Sequence, residues 1–377
     1  MSSEDTLPSG LTDDATPPAA AEEAASRPFP RWLKWLVGVG AVLAAIGLAG
    51  TLIRLPYATF SPGAALDLAP LVKVHGAPSY SDSGDVMLLF VRERDHVNVW
   101  SWLQAKLDPD IDIARQDLVN GGSSQEESNA AAISDMAQSQ VSAKAAALTA
   151  LGHRLKIAPG LLVTAVLPSK PAGKALRPGD QLLAADGRVL KAPGDLSKIV
   201  ERHRLGTSVR LRLVRGGRTQ TVPVPVYSDP RAKARRIGVL VMQTFRFPVR
   251  IDVDTRNISG PSAGLAMTLA IIDRLSPGDL AGGKRVAVTG TITADGKVGE
   301  IGAIQQKAIS AKAAHAQIFI VPACGDDRVC SKDLQRLKQR VGKSVDVEPV
   351  ATLAQALRVL REAGGAPLRT GSTTSTT

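Results

Sequence analysis

Nineteen consecutive residues, Trp35 to Ile53, carry no charge. At about 1.5 Å of rise per residue, a helix of that length roughly matches the hydrocarbon thickness of a bilayer. Arg27, Arg31 and Lys34 precede the run and only Arg54 closely follows it. That imbalance predicts an N-terminus in the cytoplasm and everything after Arg54 outside. A cleaved signal peptide normally opens with a short basic region, whereas a long acidic segment stands in front here. The expectation is therefore an uncleaved single-pass anchor over 31–54 in the cell membrane, with a buried helix of a soluble core as the competing reading.

Residues 1–27 hold six acids (Glu4, Asp5, Asp13, Asp14, Glu22, Glu23) against Arg27, with almost nothing large to bury, so a disordered cytoplasmic tail is expected over 1–30. The formal net charge of +11 thus understates how basic the remainder is. Those cations are dispersed and no nucleic-acid motif accompanies them, which points to a solvated basic surface near anionic membrane and away from nucleic acid. The only cysteines, Cys324 and Cys330, flank a turn-like Gly-Asp-Asp; outside the cytoplasm the pair is expected to form a disulfide, and two cysteines alone make a poor metal site. Neither a metal nor a cofactor is expected.

Beyond the anchor, "GDVMLLFVRE" (84–93) reads as a buried strand, "NVWSWLQAKL" (98–107) as a short helix, and 126–151 as an Ala-rich helix stopped at Gly152. From 155 to about 228 the pattern is β-rich: Val209, Leu211 and Leu213 alternate with Arg210 and Arg212, and Gly216-Gly217 marks a hairpin turn. The order "PGLLV", "PAGKALRPGD", "LLAADG", a helix near 195–203 and then the hairpin resembles a PDZ domain of the bacterial envelope-protease type. That resemblance implies that Pro159, Gly160, Leu161 and Leu162 form a carboxylate-binding loop and strand edge, where a peptide partner would add as a strand. The competing reading of Gly160 and the leucines is a turn and a core strand only.

"DPRAKARR" (229–236) reads as a basic linker. After it, "IGVLVMQTF" and "VRIDV" look like strands, 264–275 a helix, "KRVAVTGTI" a strand, 303–314 a helix, "QIFIVP" a strand and 352–363 a last helix. The fold class is α+β. The domains read as 65–154, a first part of the catalytic fold; 155–228, PDZ-like; 236–365, the main catalytic part; and 366–377, a disordered tail.

"GPSAG", around Ser262, fits the G-x-S-x-G of a nucleophile elbow, with a serine capping an ordinary helix as the competing reading. A Ser-His-acid triad needs a later histidine; only His315 follows, at the end of an Ala-rich helix. A lysine activates a serine when its amine is neutral, and desolvation favours the neutral form. Lys307 in "IGAIQQKAISAKAAHA" has Ile304, Ala308 and Ala311 around it at helical spacing, while Lys312 falls nearer the polar side with His315.

The stretch 260–322, with "GPSAG", "TGTIT", "VGEIGAIQQK" and "IFIVP" in order, resembles the proteolytic domain of Lon-type serine peptidases. Carried over by position, the resemblance implies Ser262 as nucleophile, Lys307 as general base of a Ser-Lys dyad, Thr289 as a hydroxyl orienting the amine, and the backbone N–H groups of Ser262 and Ala263 as the oxyanion hole. Departures stand at Thr291, where Lon enzymes usually carry an acid, and at Ser259.

Anchor, PDZ module and peptidase together resemble the membrane-anchored YlbL-like peptidases of bacteria, in which the PDZ module looks inserted into the peptidase fold. The resemblance implies an enzyme acting on protein or peptide substrates. Lon couples its peptidase to an ATPase, yet Leu337 stands where a P-loop ending at Gly342-Lys343-Ser344 needs its first glycine, so an ATP-independent endopeptidase is expected. Lon-type domains commonly assemble into rings, which leaves a homo-oligomer open. The alternative function is a catalytically inactive PDZ scaffold at the cell envelope.

Overall fold

The computed structural model describes residues 31–80, 84–95, 97–119, 121–255, 258 and 260–368. The tail expected over 1–30, most of the one expected from 366, and Ser259 lie outside the described residues. Ala366 itself is held, its N–H donating to the Asp279 carbonyl at 2.8 Å.

Two compact units divide the chain at Leu52. The described part of the first is one helix, Arg31–Leu52, in which Lys34–Leu52 has a mean hydropathy of 2.0. Among the described residues it is the one helix long and apolar enough to cross a membrane.

The second unit is mixed α+β. Its main sheet has the order Asp346–Val350, Ile318–Pro322, Arg285–Val288, Asp85–Arg94, Tyr57–Asp67, Asp112–Arg115. The first four strands run parallel and the last two antiparallel to their neighbours. Strand residues alternate between two apolar layers, as the period of two requires. Val86, Leu88, Val286, Val288, Ile318 and Ile320 pack with the helix Gly264–Leu275. Met87, Leu89, Ala287, Phe319 and Val321 pack with Ala308 and Ala311 of the helix Ile304–Ala313 and with Leu337 of Arg328–Val341. These two layers cover opposite faces of one sheet, which is why its central strands read as near-continuous apolar runs.

The second sheet has the order Arg218–Pro225, Ser208–Arg215, Gln181–Ala185, Leu161–Val166, Val239–Met242. Gly216 and Gly217, both at positive φ, close the hairpin as their sequence requires. Asp180 of "RPGD" is almost fully buried; its carboxylate accepts from the Arg177 N–H and binds the Arg215 guanidinium at 2.5 Å. The helix Pro193–Arg202 lays Leu196, Ile199 and Val200 on this core.

Two boundaries differ from expectation. The 229–236 stretch is a short antiparallel hairpin, Tyr227–Asp229 with Ala234–Arg236, because Asp229 accepts from the N–H groups of Arg231 and Ala232 and pairs with Arg236. The strand after it, Val239–Met242, belongs to the second sheet, where Leu161–Val166 offers it an antiparallel partner.

The helix Gln125–Ala150 joins the two sheets. It starts with a capping box between Ser124 and Glu127 and stops before Gly152, whose φ is +92°. Met136, Ala143, Ala147 and Leu148 pack with Gly264–Leu275, while Ser134 Oγ lies 2.7 Å from Thr164 Oγ1 and Ala130 packs on Ala165 and Leu167.

Candidate active site

Parallel strands direct their carboxyl ends to one edge of a sheet, the usual place for a site. Beyond the carboxyl end of Arg285–Val288 comes Thr289, fully buried, its N–H donating to the Ile320 carbonyl at 3.0 Å. Gly290 follows, donating to the Ser262 carbonyl and accepting from the Leu265 N–H, both at 3.0 Å. The serine turn is thereby fastened to the strand end.

Ser262 sits in a 3₁₀ turn, Pro261–Ala263, that runs directly into Gly264–Leu275. Gly260 enters that turn at φ +89° and ψ 162°, a region essentially reserved for glycine. Gly264 permits close packing: a Cβ there would stand 2.9 Å from Ile292 Cγ2 and 3.0 Å from Ser139 Oγ. The turn is held from outside by Ser139, whose hydroxyl donates to the Pro261 carbonyl at 3.0 Å. Ser139 lies 122 positions from Pro261, and no local sequence signal marks it.

Lys307 rises from the other layer, on Ile304–Ala313, and is 4% exposed. Its Nζ donates to Ser262 Oγ at 2.8 Å and to Thr289 Oγ1 at 3.1 Å. Burial lowers its pKa from the ordinary lysine range to about 8, so a useful fraction of the amine is neutral near physiological pH. Lys312 and His315 are exposed at the other end of the helix. The structure thus brings together Ser262, Lys307 and Thr289, with Ala263 beside them, and leaves His315 out.

Ser262 and Lys307 face a groove of about 1150 Å³, lined in part by Leu89–Glu93, Thr291 and Glu300–Ala303, while Thr289 lies buried behind them. Of the strand Asp85–Arg94, Arg285–Val288 covers Asp85–Leu88 only, so among the described residues no strand covers the same edge of Leu89–Glu93. Burial, and secondarily Asp95, raise the pKa of Glu93 there. Thr291, one of the departures noted above, sits in the groove wall.

The remaining sequence candidates lie elsewhere. Cys324 and Cys330 are joined in a disulfide before Arg328–Val341 has completed its first turn. Pro159 and Gly160 form a tight turn in which a Cβ at Gly160 would meet the Leu182 carbonyl oxygen at 2.1 Å, and Leu161 and Leu162 open the strand that follows. No group of acids, histidines and cysteines suited to a metal is found among the described residues.

Residues 231–362 match the family model of the Lon protease (S16) C-terminal proteolytic domain, and residues 134–226 match that of the PDZ domain. The Lon protease of Chloroflexus aggregans is 32% identical over 99 residues, covering 26% of this chain and 11% of that protein. The Lon protease of Roseiflexus castenholzii is 30% identical over 135 residues, 36% of this chain and 16% of that one. The chain therefore spans less than a fifth of either relative's length. Among solved structures, the PDZ domain of an SdrC-like protein from Listeria monocytogenes is 20% identical with a TM-score of 0.21, covering 22% of this chain and 86% of that one. A Lon-type proteolytic domain and a PDZ domain on one chain, with one apolar N-terminal helix, fit a YlbL-like PDZ-Lon peptidase and support a serine peptidase.

Proposed function

We propose that this chain is an ATP-independent serine endopeptidase, anchored by Arg31–Leu52 with its catalytic part outside the cell membrane, that cuts flexible or unfolded protein segments. The observation that carries the reading is the 2.8 Å hydrogen bond between a buried, weakly basic lysine and Ser262 Oγ.

Neutral Lys307 takes the Ser262 proton as Oγ attacks the peptide carbonyl. The N–H groups of Ser262 and Ala263, at the amino end of the following helix, receive the developing oxyanion. Lys307 then gives that proton to the leaving amine; neutral again, it takes a proton from the water that attacks the acyl carbon and returns it to Ser262 Oγ as the acyl–oxygen bond breaks. Thr289 Oγ1 holds the amine in line. A substrate strand adds to the uncovered edge of Leu89–Glu93, which places a peptide bond beside Ser262. Without a P-loop there is no motor here to unfold substrates, which confines them to accessible segments.

The same reading makes the PDZ module an insertion into the peptidase fold. Its support is that Asp85–Arg94, before the module, pairs with Arg285–Val288, after it. The test is casein cleavage without ATP by the full chain in detergent, comparing wild type with Ser262→Ala and Lys307→Ala. Cleavage by wild type alone, with all three folded, supports the dyad; equal cleavage by all three overturns the dyad, and cleavage by none favours the scaffold.

A further inference from the structure

Among the described residues of the second unit, exposed large apolar side chains cluster on two elements beside its first residues. The helix Val99–Leu107 turns Ala105 inward and half-buries Trp102 near the Tyr57 ring, 6.5 Å away. Its outer face carries Trp100, Leu103 and Leu107, at i, i+3 and i+7, which are 42%, 43% and 77% exposed. A helix whose outer face meets only water carries polar residues at those positions. A second patch, Leu118 at 74% and Val119 at 37% exposed, stands on the short helix Gln116–Val119.

Both patches are fastened to the same few residues. Arg54 bridges to Asn98, which caps Val99–Leu107, and the Leu55 N–H donates to the Val97 carbonyl at 2.9 Å. The Gln116 N–H donates to the Pro56 carbonyl at 3.1 Å. Arg54 follows Leu52, the last residue of the apolar helix, by two positions, a chain length of about 7 Å at most. The surface of a bilayer spanned by that helix is therefore within reach of both patches.

The charges between 97 and 119 suit such a surface. Asp110 pairs with Arg340 and Asp117 with Arg115, Asp108 accepts from the Asp110 N–H, and Asp112 lines the serine groove. Arg54 and Lys106 are exposed, on stems long enough to meet lipid phosphates while apolar neighbours sink below them.

We propose that the outer faces of Val99–Leu107 and Gln116–Val119 dock on the lipid surface of the membrane that holds the anchor, with Trp100 at headgroup depth and the leucines beneath it. The inference rests on the reading of Arg31–Leu52 as an anchor. Insertion of apolar side chains supplies the attraction, so anionic lipid strengthens docking without being required. Asp112–Ala114, in the strand between the two patches, line the serine groove, and docking holds that groove beside the bilayer.

The test attaches an environment-sensitive fluorophore to Leu103→Cys, to Leu118→Cys or, as an exposed apolar control, to Leu205→Cys, each in a Cys324→Ser/Cys330→Ser background. The full chain is placed in phosphatidylcholine nanodiscs with and without a doxyl quencher on the lipid chains. Quenching of about twofold or more is expected for the first two forms and little for the third. Adding Leu103→Ser/Leu107→Ser to the Leu118→Cys form should remove most of its quenching. Casein cleavage by Leu103→Ser/Leu107→Ser should match wild type, which separates docking from the chemistry at Ser262. Equal quenching of all three forms overturns the proposal, because the catalytic part then rides free on its tether. A blue-shifted emission from the Leu103→Cys form that doxyl lipid leaves unchanged assigns the face to a second copy of this chain and also overturns it. A chain that does not co-elute with the discs overturns the anchor, and the docking surface with it.

Discussion

Lys307 Nζ lies 2.8 Å from Ser262 Oγ although their helices cover opposite faces of the same sheet. The two meet only because the sheet ends between them, at Thr289. Several consequences can be measured.

The first concerns pH. A general base works only when deprotonated, and burial places the Lys307 pKa at about 8. Below that value kcat/KM should fall about tenfold per pH unit, and above it should level off. A profile on a fluorogenic peptide from pH 6 to 10 checks this; a rate independent of pH across that range contradicts a lysine base.

The second separates chemistry from stability. Among the described residues no carboxylate forms an ion pair with Lys307, so its charged form is buried at a net cost on the order of 3 kcal/mol, from a shift of roughly two and a half pH units. Lys307→Met should abolish cleavage while keeping or raising the melting temperature near neutral pH. The folded pKa is depressed, so the cost is full below about pH 8 and is relieved as pH rises toward the unfolded value of 10.5. The melting difference between variant and wild type should narrow across that window.

Thr289 is fully buried and touches the amine through its hydroxyl. Thr289→Val removes that contact with little change of shape and is expected to lower kcat about 10- to 100-fold with KM nearly unchanged. Thr289→Ser should recover most of the rate, and equal rates for all three would remove the hydroxyl from the mechanism.

Gly260 has a backbone conformation that a side chain strains, at about 1–3 kcal/mol. Nothing stands within 4 Å of an added Cβ, so Gly260→Ala isolates backbone strain from clash. Both the melting temperature and kcat should drop, because the serine turn carries the strain.

The disulfide closes a loop of only six positions, so Cys324→Ser/Cys330→Ser should lose at most about 2 kcal/mol of stability. Neither cysteine lines the serine groove, and kcat should be unchanged. Thiol labelling of the protein taken from cells, before and after reduction, reports whether the bridge forms there.

Local signals were strong where chemistry is local. The uncharged run at Trp35–Ile53 anticipated the helix Arg31–Leu52, Ser124 and Gly152 bracket the long helix, and Gly216-Gly217 set the hairpin. Pro261 and the flanking glycines around Ser262, with Lys307 among Ile304, Ala308 and Ala311, made the site candidates legible as residue types at a spacing. Those features depend on backbone conformation and helical period, which a few neighbouring residues determine.

The partners of those elements were decided only in three dimensions. "VLVM" states that 239–242 will be a strand, but not that its ladder bonds go to Leu161–Val166 and not to the peptidase sheet, because β-propensity records fit to a pleated surface and carries no address. Likewise nothing near Pro261 announces Ser139, and nothing near Ser262 announces Lys307. Their hydrogen bonds exist because two apolar layers each bury a helix against the same sheet, and the burial so created is what lowers the pKa of the lysine.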